Sequence, residues 1–270
     1  MGMPSYLENE QRKIVVQDYI QVTRDIEAVE SELERLYADP AIQDKDGFSV
    51  GLRNKLSNLT STQQKLAPIA EAVIQEQVAM VVADLGLTTG GQPVPAVQYR
   101  VSPLPLALII SPRDRIQQDG NISLLPDLTV EQRELIEEKV AETLDVSTLV
   151  VPVGGIGAYP TMVMRTSNLS WLLEVVSHEW IHNFLTIRPL GIRYGTTPEL
   201  RTMNETTASI AGNEIGQLVI EKYFPELLVR EPVITGLASE KPLPAEPKSV
   251  VEPFDFRKEM HETRVTADKL

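Results

Sequence analysis

Apolar residues recur at alternating spacings of four and three from Val15 through Tyr19, Val22, Ile26, Val29 and Leu33 to Leu36. That is the seam of a long helix packing at a shallow angle on a neighbour. Leu52, Leu56, Leu59, Gln63 and Leu66 repeat the spacing, and Asp39-Pro40 and Asp46-Gly47 mark a loop between the two runs. The pattern predicts a long antiparallel helical hairpin. Pro68 is expected to kink or restart the second arm, which continues through Val73, Ile74, Val78, Val81 and Val82 to about Leu85. The charged outer faces read most simply as solvated; the alternative is that the hairpin joins two copies of the chain into a homo-oligomer.

Thr88 to Pro95 is a connection rich in Thr, Gly and Pro, and the pattern changes there. Val97, Tyr99 and Val101 alternate with polar residues. Leu104 to Ile110 and Ile122 to Leu125 read as strands, and Thr129 with Gln132 is a capping-box signal for a helix ending near Leu144. Ser147 to Val153 and Ala158 to Thr166 read as two further strands joined by Gly154-Gly155-Ile156-Gly157. A strongly apolar helix follows, with Ser170 as its expected N-cap and Arg188-Pro189 as its stop. A second periodic helix runs from about Met203 through Ile210, Ile215, Leu218, Val219 and Ile220 until Pro225 stops it. The reading is α+β, with a small sheet followed by helices. It divides the chain into a hairpin domain at 1–90, a second domain at 91–230, and a Pro-rich tether with a terminal helix at 231–270.

Within the apolar helix stands His178-Glu179-Trp180-Ile181-His182. Four residues advance a helix by about 400°, so both imidazoles return to one face. Two imidazoles one turn apart can each give a nitrogen to one zinc ion, and Glu179 is placed to take a proton from water. The chain has only three histidines, so the pairing is specific. Burying two imidazoles and a carboxylate without partners would cost several kcal/mol, at about that order, and a divalent cation offers the compensation. A third ligand must come from elsewhere. Glu205 is the first choice, because Ala208 and Gly212 on or near its face would let the two helices approach closely; Glu199 and Glu214 compete with it.

His-Glu-x-x-His followed by Asn204-Glu205-x-x-Ala208 resembles the gluzincin zinc metallopeptidases across roughly residues 150–225. The resemblance implies a zincin-like domain in which His178, His182 and Glu205 hold Zn2+ and Glu179 is the general base. It further implies hydrolysis of a peptide or protein substrate. Some members place an Asp four positions after the ligand Glu to orient a zinc histidine. Here that position is Ser209, which leaves Asn204, Asn213 and Glu214 as candidates. Tyr194 and His261 are candidate oxyanion donors. In the resembled group a strand at the cleft edge pairs with extended substrate, which makes the strand at 158–166, with Ala158, Tyr159 and Thr161, the expected substrate-binding edge. Endopeptidase and aminopeptidase action both remain open. The reading from another class is a helical scaffold whose metal site is structural or degenerate.

Other chemistries fall away. A metzincin would need a histidine where Arg188 stands, zinc-finger and iron–sulfur sites need cysteine, and the chain has none. The glycine cluster lacks the lysine of a phosphate loop. With a net charge of −13 the chain is a poor partner for nucleic acid or anionic membranes. No sequence run approaches the roughly 18 apolar residues of a membrane span, and no signal peptide is apparent. The compartment stays open; the expectation is a soluble chain, or the soluble part of a longer extracytoplasmic or membrane-anchored protein.

Overall fold

The computed structural model describes residues 7–228, apart from Ile116 and the side chain of Glu131. The expected tether, the terminal helix and His261 lie outside the described residues. The described chain falls in one compact unit that ends at Val229.

The hairpin consists of α1, Asn9–Ala38, and α2, Lys45–Asp84. Asp44 opens α2 by accepting a hydrogen bond from the Gly47 amide at 2.9 Å. Pro68 neither ends nor restarts α2, which is one helix of 40 residues. By length and composition one 18-residue window of α2 is apolar enough to cross a membrane, which the sequence reading did not expect. Only the C-terminal half of that helix packs into the core. Val73, Ile74, Val78 and Val82 are buried, and so is Glu71, whose carboxylate accepts from Arg100 at 3.0 Å and from the Val101 amide at 2.9 Å.

Two three-stranded sheets stand where one was expected. The first has β1, Tyr99–Val101, parallel to β6, Thr161–Val163, with β5, Gly155–Ile156, antiparallel on the other side of β6. The second places β2, Leu106–Ser111, between β3, Gly120–Leu124, and β4, Ser147–Pro152, all antiparallel. The strands expected to form a hairpin across the glycine cluster therefore lie in different sheets, and the cluster itself supplies β5. Helix α3, Val130–Leu144, has the expected capping box and packs on β4. It closes a small core around Leu106, Leu108 and Val150.

Helix α4, Leu169–Leu185, begins at Asn168, whose side chain accepts from the Trp171 amide at 3.1 Å, two residues earlier than expected. A short α5, Pro189–Ile192, leads to α6, Pro198–Tyr223, capped by Thr197 and opened by a proline that needs no amide partner. The inner faces of α4 and α6 share a continuous core with the hairpin and β1, through Tyr19, Ile74, Tyr99, Leu172, Val176, Ile215 and Val219. Trp180 fixes α4 against the connection at residue 95, its indole donating to the Pro95 carbonyl at 2.9 Å.

Candidate metal centre

The apolar face of α4 is held by the core, and this turns the opposite side of the helix, with His178 and His182, toward a cleft of about 660 Å³. Helix α6 crosses beside it at close range. An added Cβ on Gly212 would stand 2.8 Å from the His178 backbone nitrogen, so only glycine permits this approach. Ala208 is fully buried in the same seam. The expectation that small residues bring Glu205 to the histidines holds.

Nε2 of His178 and Nε2 of His182 are 3.0 Å apart, and Glu205 Oε2 lies 3.7 Å and 3.4 Å from them. A point equidistant from these three atoms is about 2.0 Å from each, the length of a zinc–nitrogen or zinc–oxygen bond. The donor set and spacing fit a zinc ion. No family model, curated protein or solved structure matches this chain.

Asn204 answers the question of the outer partner. Its side chain is buried, its amide nitrogen reaches the Leu190 carbonyl at 3.4 Å, and its Oδ1 is 2.7 Å from His182 Nδ1. With Oδ1 the acceptor, the His182 proton sits on Nδ1 and the Nε2 lone pair is left facing the other donors. Tyr194 donates to the second oxygen of Glu205 at 2.6 Å, which fixes the carboxylate from the solvent side. Tyr194 thus touches the third donor directly, and it also lines the cleft.

The electrostatics follow from crowding. The His178 and His182 imidazoles beside Glu205 hold its carboxyl well below the usual carboxylate range, against the opposing effect of partial burial. Burial works against charge on His182, yet the adjoining Glu205 outweighs it and raises the pKa. Burial, followed by the bond to Glu205, pushes the Tyr194 phenol up to about 12. Burial also raises the pKa of Glu179, with the two imidazoles partly offsetting it.

Glu179 is 8% exposed and lies beneath β5. A Cβ on Gly155 would come within 2.6 Å of its Oε1, and one on Gly157 within 3.2 Å of its Oε2. The glycine cluster is therefore a thin cover over the carboxylate. Sequence reading placed these glycines in a turn and missed the contact; the Gly155-x-Gly157 spacing, one face of a strand, was the available signal.

The expected substrate edge is displaced. Residues 158–166 contribute only β6, which is central, and Thr161 is buried with its amide donating to the Gln98 carbonyl at 2.9 Å. Tyr159 is 53% exposed and outside the cleft lining, whereas Ala158 lines it. The edge beside the metal donors is β5. The β5–β6 register, continued by the Met164 amide donating to the Gly154 carbonyl at 2.9 Å, turns the Gly155 amide and carbonyl away from β6. Asn121, from the second sheet, lines the same cleft and carried no sequence signal. Among the competing acids, Glu199 lies at the exposed start of α6, and neither it nor Glu214 belongs to the donor cluster.

Proposed function

We propose that this chain is a zinc-dependent peptidase with a zincin-like catalytic unit. The observation that carries the reading is the convergence of His178, His182 and Glu205 on one point at bonding distance, beside an open cleft that also holds the Glu179 carboxylate. A catalytic zinc site takes three protein ligands and leaves a position free, whereas a structural site is closed by a fourth, so three donors facing a cleft favour catalysis. When bound, zinc supplies Lewis acidity toward water and the scissile carbonyl.

The chain's own groups then have distinct tasks. Glu179 accepts a proton from the attacking water and passes it to the departing amine as the carbon–nitrogen bond breaks. Asn204 holds His182 in the tautomer that presents Nε2, and Tyr194 holds Glu205 in place. The outward backbone groups of Gly155 on β5 are suited to pair with an extended peptide, and the absence of side chains there lets the peptide lie close to Glu179.

The test is metal content together with hydrolysis. Zinc-loaded protein should cleave members of a peptide library; Glu179→Gln should keep its zinc and lose cleavage by several orders of magnitude, while His182→Ala should lose both. Cleavage by the Gln variant at the wild-type rate would remove Glu179 as the base.

A further inference from the structure

A second cavity, of about 1150 Å³, adjoins the metal cleft and shares Glu205 with it. Its walls are the end of β2 and the turn toward β3, with Ser111, Gln117 and Asp119, and the start of α6, with Thr197, Arg201 and Thr202. Glu205 therefore stands between two compartments, one bordered by the β5 edge and one by the start of α6 and the turn after β2.

The charges in the second compartment are unequally engaged. Asp119 accepts from the Gln117 side-chain amide at 2.5 Å. Glu199 is exposed at the start of α6, and Glu205 is held by Tyr194 and the imidazoles. Arg201 is the one basic residue in the lining, and among the described residues no ion pair engages it. Its guanidinium carbon lies 5.8 Å from the Tyr194 ring, which is in turn 6.3 Å from the His182 ring. At about 3.3 Å per extended residue, Arg201 is within about four residues of the metal donors.

We propose that this compartment is a substrate subsite in which Arg201 binds a carboxylate of a polypeptide lying past Glu205. A guanidinium matches a carboxylate by paired hydrogen bonds, and Ser111, Gln117, Thr197 and Thr202 add hydroxyl and amide groups to the same lining. The carboxylate comes either from an acidic side chain of a chain that continues through the groove or from a free C-terminus. The inference rests on the peptidase reading, and its test separates the two.

Zinc-loaded Glu179→Gln protein provides a non-cleaving binder for fluorescence anisotropy. Three labelled peptides are compared: one blocked at both ends with Glu three residues from its centre, the same with Gln, and the Gln peptide with a free C-terminus. The expected result is binding of at least one carboxylate-bearing peptide about tenfold tighter than the blocked Gln peptide, with the advantage lost on adding Arg201→Gln. An advantage for the internal Glu identifies a side-chain carboxylate and a through-running substrate; an advantage only for the free end identifies a terminal one. Equal binding of all three, no binding, or an advantage that survives Arg201→Gln overturns the inference. Wild-type cleavage without such a preference leaves the peptidase reading standing alone. Absence of both zinc uptake and cleavage removes that reading by a separate measurement.

Discussion

Asn204 is the smallest unit on which the site depends. In the proposed centre a histidine ligand is useful only if the nitrogen facing the metal carries no proton, and the bond from His182 Nδ1 to Asn204 Oδ1 at 2.7 Å favours the tautomer that meets this need. Asn204→Ala should weaken zinc binding by about 10- to 100-fold, measured by competition with a chelator. Asn204→Asp, which still offers an acceptor, should recover most of the affinity. Equal affinity in all three proteins would show that His182 needs no partner. At this scale the sequence spoke clearly for His178, Glu179 and His182, because their spacing is local to one helix. It named Glu205 and offered Asn204 among three partners. It was silent on Asn121 and Arg201, since their place in the clefts depends on chain segments that meet only on folding.

Helix periodicity and capping signals made the long helices legible, since each depends on near neighbours in sequence, but the short α5 was not read and α6 begins at Pro198, ahead of its periodic stretch. The sheets were less so. Strand pairing joins distant segments, and the local pattern of a short strand does not reveal which of the two sheets it enters. Pro68 shows the opposite failure, a local breaker absorbed into a continuous helix by packing on both sides of it. The contact of α4 with α6 is where element packing becomes chemistry. Gly212→Ala would push a methyl carbon to 2.8–2.9 Å from the His178 backbone nitrogen and Cα, atoms that cannot rotate away. The helices must separate instead. The expected cost is about 1–3 kcal/mol in denaturant unfolding, with weaker zinc binding because Glu205 retreats along with α6. Full stability and affinity in this variant would show that the seam has slack, and Glu205 would then owe its position to Tyr194.

Across the molecule, the hairpin reads as a separate module by composition, yet its inner half belongs to the core that backs α4 and α6. Glu71 joins the parts: a carboxylate on α2, 4% exposed, accepting from Arg100 and from the Val101 amide of β1, with the phenols of Tyr19 and Tyr99 as its other titratable neighbours. Burial raises the pKa of Glu71, and its two hydrogen bonds only partly counter this. The folded state therefore holds that proton more tightly than the unfolded chain does. The resulting stabilisation is complete below the ordinary carboxylate pKa and is lost as pH climbs through the raised folded value. Glu71→Gln keeps an acceptor for the Val101 amide but cannot ionise, so the variant escapes that loss. Urea midpoints across this pH window should show the wild type declining relative to Glu71→Gln as pH rises. A relative gain by the wild type would mean that the pair with Arg100 outweighs burial, and that the joint between hairpin and sheet is held by charge.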